Sequence, residues 1–201
     1  MKIKICGLFR PEDIEYANAA APDYVGFVFA ETSRRRVSPH EAEILRAGLK
    51  DGIEPVGIFV NADVADIEAL YLKGVINVAQ LHGGEDGAYI NELKSRCGIS
   101  VIKAVRTEST QDIERAAKLP ADFLLLDNGG GGTGRRFDWS LIRDVDKPYF
   151  LAGGINLSNV RDACLVGPAP FAIDVSGGAE TDGVKDAAKI AALVRIVRDC
   201  R

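Results

Sequence analysis

The sequence has few of the residue types that bind metals or cross-link a fold. Its 201 residues include only four cysteines and two histidines, at Cys6, Cys97, Cys164, Cys200, His40 and His82. No two cysteines form a CxxC pair, and neither histidine stands at the spacing of a zinc site. We therefore expect reduced thiols in a cytoplasmic protein, and no metal site.

Long apolar runs and large basic blocks are also missing. No apolar run approaches the length that spans a bilayer, and residues 1–6 lack the longer apolar core of a signal peptide. The formal charge is −4, and the basic block is limited to Arg34, Arg35 and Arg36. Because nucleic acid binding depends on a broad positive surface, we expect neither a nucleic acid partner nor a membrane partner. With 47% hydrophobic residues, the composition predicts one soluble globular domain over residues 1–201.

The sequence does contain a regular alternation of short β-rich runs and helical stretches. The expected strands are 3–6, 24–29, 56–60, 78–81, 101–104, 123–126, 149–152 and 171–175. The expected helices are 11–20, 38–49, 63–72, 87–96, 111–118, 139–145, 156–166 and 184–199. Short apolar strands separated by helices should lie parallel and be buried on both faces. Eight such units predict a single-domain (β/α)8 TIM barrel of near-minimal length. A doubly wound open sheet stays possible, because a count of strands does not prove closure.

Three of the helix starts carry a polar residue that can cap the helix. Ser38 is followed by a proline at the first helical position and by Glu41 three residues on, which is the capping-box pattern. Asp63 and Asp138 precede apolar helical stretches in the same way. We assign all three residues to helix capping alone.

The last two expected strands both end in small residues. Gly153 and Gly154 follow the seventh strand, and Ser176, Gly177 and Gly178 follow the eighth. Glycines leave backbone N–H groups free and let a ligand come close, and adjacent nests of this kind suit a phosphate dianion. The loops after strands seven and eight are the usual phosphate site of a (β/α)8 barrel. Each pair alone could simply make a tight turn, but two pairs on consecutive strands favour phosphate binding.

Chemistry in such a barrel belongs to residues just past the C-terminal ends of the strands. Besides the two glycine loops, these positions hold Cys6, Arg35, Asn61, Gln80, His82, Lys103, Asp127 and Asp174. A thiol whose pKa is lowered by a nearby cation can accept a proton. A carboxyl group whose pKa is raised by its surroundings can donate one. One base and one acid around a small phosphorylated substrate predict isomerisation by proton transfer.

Residues 129–134 fit the pattern G-x-G-x-x-G and raise nicotinamide binding as an alternative. The context is poor, because Asp127 intervenes after the strand and Arg135, Arg136 and Phe137 separate the last glycine from the next helix. We interpret this stretch as a mobile lid that excludes water from the site.

Short motifs occur along the whole chain. In the first half they are Lys4-Ile5-Cys6-Gly7, 25–29, 33–39, 56–61 and 80–83. In the second half they are 125–127, 131–134, 137–139, 152–155 and 171–176. Together these motifs resemble those of the phosphoribosylanthranilate isomerases of tryptophan biosynthesis. The resemblance implies a (β/α)8 barrel that needs no cofactor and acts on a small-molecule phosphosugar substrate. Gly177 departs from the family, which we expect to have a second serine there, and this affects the prediction of phosphate affinity.

The resemblance also implies a mechanism, the Amadori rearrangement of N-(5′-phosphoribosyl)anthranilate to 1-(2-carboxyphenylamino)-1-deoxyribulose 5-phosphate. It implies Asp127 as the general acid that opens the furanose ring and Cys6 as the thiolate base that removes the C2 proton. Arg35 would pair with the anthranilate carboxylate, a contact that suits a planar guanidinium. The remaining implied roles are substrate binding by Gln80, His82 and Asp174, and phosphate binding by Gly153, Gly154, Ser176 and Gly177.

Other interpretations remain open at this point. The chain could be a related sugar-phosphate isomerase of histidine biosynthesis, although the relatives of that enzyme use a carboxylate where this chain has Cys6. It could also be a phosphosugar-binding barrel without activity. Arg34 and Arg36 fit a solvated basic face, and His82 could merely satisfy backbone groups at the barrel rim. The oligomeric state could be a monomer or a homodimer.

Overall fold

The computed structural model describes residues 1–128, 137–143 and 145–200. Eight parallel strands form a closed barrel in the order of the chain, with the last strand paired to the first. They are β1 Lys2–Cys6, β2 Tyr24–Val28, β3 Glu54–Phe59, β4 Val78–Leu81, β5 Ser100–Arg106, β6 Phe123–Asp127, β7 Tyr149–Leu151 and β8 Ala172–Val175. The predicted (β/α)8 barrel is confirmed, and the open sheet was the wrong alternative.

Helices follow most of the strands and form the outer layer. Those in the described residues are α1 Pro11–Ala20, α2 Pro39–Ala47, α3 Val64–Leu72, α4 Gly87–Cys97, α5 Thr110–Ala117, α6 Val160–Cys164 and α7 Ala187–Asp199. None of the helices in the described part of the chain is long and apolar enough to cross a membrane.

Side chains sort into two cores because successive residues of a strand point to opposite faces of the sheet. One cluster fills the barrel interior and consists of Tyr24, Val56, Val78, Ile102, Leu125, Phe150, Ala152 and Ala172. Phe150 lies edge-on to Tyr24 and Phe123, with ring centroids 5.4 and 5.7 Å away. The larger cluster packs the outward-facing residues, such as Ile5 and Phe27, against the helices. The packed interior supports the strand ends, where the predicted site residues lie.

The helix caps agree with the sequence except at one position. Ser38 and Glu41 form the predicted capping box, with the Ser38 N–H donating to Glu41 Oε2 at 2.7 Å and the Glu41 N–H to Ser38 Oγ at 3.2 Å. Asp138 accepts from the Ser140 N–H at 2.9 Å. Asp63 precedes α3, but its side chain makes no capping hydrogen bond. Asp63 therefore occupies the predicted cap position, but the predicted capping by its side chain was wrong.

After β6, the described residues form a single 3₁₀ turn, Trp139–Leu141, where a helix over 139–145 was expected. The Ile142 N–H closes the turn by donating to the Trp139 carbonyl at 3.1 Å. Lys147 then anchors the chain through its ammonium, which donates to the Ala121 carbonyl at 2.8 Å. The described residues therefore form one 3₁₀ turn in place of the expected helix.

The helix after β7 is also shorter than expected, because asparagine side chains satisfy the backbone that would begin it. Asn156 Oδ1 accepts from the Ser158 N–H at 2.9 Å, and Asn159 Oδ1 accepts from the Asn156 N–H at 2.9 Å. The Asn159 amide group also donates to the Gly154 carbonyl at 3.0 Å. Local bonds of this kind compete with helical ones, so α6 begins only at Val160.

A small hairpin replaces the start of the last expected helix, 184–199. Its strands are β9 Glu180–Thr181 and β10 Val184–Lys185, which pair antiparallel. Asp182 and Gly183 both have positive φ, +51° and +83°, and Asp-Gly is a typical dipeptide of such a turn. The helix prediction was wrong for residues 184–186, and α7 begins at Ala187 after the Asp186 cap.

Two leucines of α3 test the packing of the helical layer. Leu70 is 5% exposed, whereas Leu72 is 71% exposed. We expect Leu70→Ala to lower the free energy of unfolding by about 2–5 kcal/mol, because it removes buried methyl groups and leaves a cavity. Leu72→Ala in the same helix should change it by no more than about 0.5 kcal/mol. Urea unfolding followed by circular dichroism measures both, and equal losses would contradict this packing.

Candidate active site

A cavity of about 540 Å³ opens at the C-terminal end of the barrel, among the loops that follow β6, β7 and β8. Six of the ten predicted site residues line it, namely Asp127, Gly153, Gly154, Asp174, Ser176 and Gly177. The other four lie beside it, as the contacts below show. Alternation along the strands explains the convergence, because Cys6, Gln80, Asp127 and Asp174 all fall on the inward-facing register.

The loops after β7 and β8 make the part of the wall that the sequence predicted for phosphate. Gly153 and Gly154 have φ of +87° and +65°, which side chains rarely tolerate. A Cβ on Gly178 would lie 2.0 Å from the Ile155 carbonyl oxygen, so the two loops touch there through backbone alone. Gly177 has more room, since its Cβ would come no closer than 3.8 Å to Arg35. The result is a concave wall built largely from main chain.

Cys6 ends β1 and is 8% exposed. Gly26 on β2 leaves room for its thiol, because a Cβ there would lie 2.9 Å from Cys6 Sγ. Ser176 ties the loop after β8 to the same strand end by donating its hydroxyl to the Cys6 carbonyl at 3.1 Å. Burial raises the pKa of the Cys6 thiol, although Lys4 opposes that change. Near neutral pH, the group is therefore mainly a neutral thiol.

Asp127 ends β6 and faces a short polar chain from β4. Its Oδ2 lies 4.0 Å from His82 Nε2, and His82 Nδ1 lies 3.1 Å from Gln80 Nε2. Burial raises the pKa of Asp127, while the Asn128 N–H and His82 lower it and the net shift is upward. Burial lowers the pKa of His82, so its ring is neutral. A carboxyl group with a raised pKa beside a neutral imidazole can hold and release a proton.

Arg35 lies at the cavity edge, but its guanidinium is already bound to a carboxylate. Its Nε donates to Glu180 Oε1 at 2.6 Å and its Nη2 to Glu180 Oε2 at 2.9 Å. Glu180 also accepts from Lys185 at 2.7 Å and from Arg34 at 2.7 Å. Burial alone would raise the pKa of Glu180, yet these cations keep it below its ordinary value. The sequence suggested that Arg34 belongs to a solvated basic face. Its side chain is 61% exposed, but it also binds Glu180.

Sequence reasoning missed three buried charged residues of the site. Lys4 is fully buried and donates to Asp174 at 2.8 Å. Its position two residues before Cys6 was the available signal, because strand residues two apart share a face. Glu180 and Lys185 come from the hairpin, which the Asp182-Gly183 dipeptide could have revealed.

Two other strand-end candidates serve the neighbouring loop. Lys103 donates to the carbonyls of Leu81 and Gly83 at 3.1 and 2.7 Å and to Glu85 at 3.1 Å. Glu85 in turn accepts from the Asn61 N–H at 2.8 Å. These bonds hold the loop that carries His82.

Two further predictions concern a lid and a metal site. The expected lid, residues 129–134, lies outside the described residues. Among the residues that are described, no group of three or more His, Cys, Asp or Glu side chains could hold a metal ion.

Comparison with known proteins gives a consistent result over the full length of the chain. A family model described as N-(5′-phosphoribosyl)anthranilate (PRA) isomerase matches residues 3–196. The N-(5′-phosphoribosyl)anthranilate isomerase of Endomicrobium trichonymphae is 44% identical over 201 residues, and the match covers 98% of both chains.

Solved structures agree with this match. The phosphoribosyl anthranilate isomerase of Thermus thermophilus superposes with a TM-score of 0.88 at 32% identity, with both chains covered completely. A phosphoribosyl anthranilate isomerase in complex with reduced 1-(o-carboxyphenylamino)-1-deoxyribulose 5-phosphate has a TM-score of 0.87 at 36% identity, with 99% of both chains covered. The chain therefore belongs to the N-(5′-phosphoribosyl)anthranilate isomerase family.

Proposed function

We propose that the chain catalyses the Amadori rearrangement of N-(5′-phosphoribosyl)anthranilate to 1-(2-carboxyphenylamino)-1-deoxyribulose 5-phosphate, a step of tryptophan biosynthesis. The observation that carries the proposal is the pairing of a carboxyl group of raised pKa with a buried thiol around one cavity, next to a main-chain wall of glycines. Membership of the isomerase family over residues 3–196 supports the same reaction.

Asp127 is the general acid of this proposal. It protonates the furanose ring oxygen, so that the C1–O bond breaks and the anthranilate nitrogen becomes an iminium ion. The upward shift of its pKa supports the role, because the group must carry a proton near neutral pH to donate one. His82 is neutral and lies 4.0 Å away, and Gln80 Nε2 fixes its ring by donating to Nδ1, so His82 Nε2 can donate a hydrogen bond to the sugar.

Cys6 is the base that completes the reaction. Its thiolate removes the proton from C2, and the electron pair of that C–H bond moves toward the iminium to give an enolamine, which tautomerises to the ketose. The iminium makes the C2 proton acidic, so a small thiolate fraction suffices. A thiolate is the nucleophilic and basic form of cysteine, and the cations around Cys6 favour it against burial.

The remaining residues bind the two ends of the substrate. Gly153, Gly154, Ser176 and Gly177 would hold the phosphate through backbone N–H groups, since the Ser176 hydroxyl is engaged with the Cys6 carbonyl. Arg35 would bind the anthranilate carboxylate. Glu180 occupies two of its N–H groups, and a guanidinium has five, so three remain for the substrate. Asp174 would orient the sugar.

We further propose a cytoplasmic enzyme that works without a cofactor or nucleic acid partner, as a monomer or homodimer. A barrel that only binds phosphosugars is the second candidate, and the experiments below separate it from an enzyme. The isomerase of histidine biosynthesis receives no support, because β1 ends in Cys6 where its relatives would carry a carboxylate.

The acid and base roles predict losses of turnover in Cys6→Ala and Asp127→Asn. Each should lower kcat by about 10²- to 10⁴-fold, because each removes one member of the proton-transfer pair. Loss of anthranilate-sugar fluorescence from freshly generated phosphoribosylanthranilate measures the rate. Thermal stabilisation by a reduced product analogue should persist in both variants and shows that they are folded. Wild-type turnover by either variant would remove that residue from the mechanism, and a folded wild type without turnover would favour the binding barrel.

We expect alanine substitutions of the two glycines after Ser176 to have different effects on KM. Gly178→Ala should raise KM by about tenfold or more, because a Cβ 2.0 Å from the Ile155 carbonyl forces the two phosphate loops apart. Gly177→Ala is the matched control and should leave KM within about threefold, since its Cβ meets only an ordinary contact at 3.8 Å. Steady-state kinetics on both variants, each verified as folded by circular dichroism, measure the difference. Equal KM values would argue against a phosphate site between these loops.

A further inference from the structure

Lys4 is a fully buried lysine inside the barrel, with 0% of its side chain exposed. Lysine is almost never fully buried unless it is paired, because removing an ammonium from water is costly. The strand register places it directly opposite Asp174 of β8, and alternation places it on the same face as Cys6. A cation therefore lies at the level of the barrel where the thiol and the cavity begin.

Lys4 is held by the carboxylate and lies on the same face of β1 as the thiol. Its Nζ donates to Asp174 Oδ1 at 2.8 Å, and its positive charge favours the Cys6 thiolate. Burial alone would lower the pKa of Lys4, but Asp174 and Cys6 outweigh burial and the pKa is raised. The ammonium of Lys4 therefore stays charged near neutral pH.

The other charges facing Cys6 act differently. Lys185 of β10 and Arg35 of the loop after β2 interact with Cys6 through charge, and both are hydrogen-bonded to Glu180. Asp174 is negative and disfavours a thiolate. Among these described cations, Lys4 is the one that lies on the same strand and the same face as Cys6, two residues away, and that does not share Glu180.

We propose that Lys4 is a positioning residue for the reaction, whose buried ammonium stabilises the Cys6 thiolate through its charge while Asp174 holds that ammonium in place. This inference rests on the proposed role of Cys6 as the base. During proton transfer the C2–H bond breaks, the proton goes to Cys6 Sγ, and the electron pair goes to the enolamine. Lys4 keeps its own protons throughout, and its attraction to sulfur is strongest before the transfer, when sulfur is negative.

A structural ion pair is the competing explanation. Buried ion pairs often contribute little to stability, because the cost of desolvation offsets the attraction between the charges. The layer beneath is apolar, with Ala172 two residues before Asp174 on β8 and Phe150 on the neighbouring β7, so an apolar pair would suit this position if packing were its only purpose. The two explanations differ in what they predict for the thiol.

The experiment titrates the Cys6 thiol directly in wild type and Lys4→Met. Thiolate absorbance is followed against pH, with the matching Cys6→Ala protein subtracted so that the other cysteines cancel. We expect Lys4→Met to raise the Cys6 midpoint by about one pH unit or more, which lowers the thiolate fraction, and with it kcat/KM, by about tenfold or more. Lys103→Met removes another buried lysine, on β5, and should leave the Cys6 midpoint unchanged.

In Lys4→Met, Asp174 loses its ion-pair partner, which could itself shift the Cys6 midpoint. A second pair of variants removes this effect. Asp174→Asn is compared with Lys4→Met/Asp174→Asn, which removes both charges and leaves no buried carboxylate without a partner. The double variant should still titrate at higher pH than Asp174→Asn alone. A Lys4→Met protein that is less stable to heat yet titrates like wild type in both backgrounds would overturn the proposal and leave a structural ion pair. Because the titration needs no substrate, it tests Lys4 separately from the substrate assignment.

Discussion

The pairing of β8 with β1 closes the barrel, and the site depends on that closure. Four successive register pairs, from Lys2 with Ala172 to Ile5 with Val175, join the two ends of the chain. They bring Cys6 beside Ser176 and Lys4 beside Asp174, in each case across 170 residues of sequence. An open sheet with the same strands would leave the thiol at one edge and the glycine loop elsewhere. Closure is thus what makes one cavity out of residues from β1, β6, β7 and β8.

Along a strand, one inward-facing side chain packs in the barrel and the next one lines the cavity. Leu125 packs in the barrel and Asp127 lines the cavity two residues later, and Ala172 and Asp174 repeat the relation on β8. Because strand side chains alternate with period 2, each inward position that follows the apolar layer faces the cavity. The rim can therefore carry charged groups while the layer below it keeps the apolar packing that holds the strand ends in place.

Charged side chains at the rim form two buried groups, and both affect the pKa of Cys6. Lys4 with Asp174 forms one, and Glu180 with Arg35 and Lys185 forms the other. In the first, a single cation is held by a single carboxylate. In the second, one carboxylate is shared by several cations, so this side of the cavity stays positive and suits an anionic substrate. Asp127 lies across the cavity with neutral His82, where burial raises its pKa. The proposed base, Cys6, and the proposed acid, Asp127, thus lie in different charge surroundings.

Local patterns in the sequence determined the eight strands, most of the helix starts, and the positions of Cys6, Asp127 and the glycine loops. Strand periodicity, caps such as Ser38 and the strand-end rule all operate within a few residues, so they can be recognised without the fold. The hairpin of Glu180 and Lys185 was also local, in its Asp182-Gly183 turn, but it was not recognised. Only the tertiary structure decided the partners of Arg35 and Lys4, which lie 145 and 170 residues away. Such contacts depend on barrel closure and strand register, and no short stretch of sequence contains either.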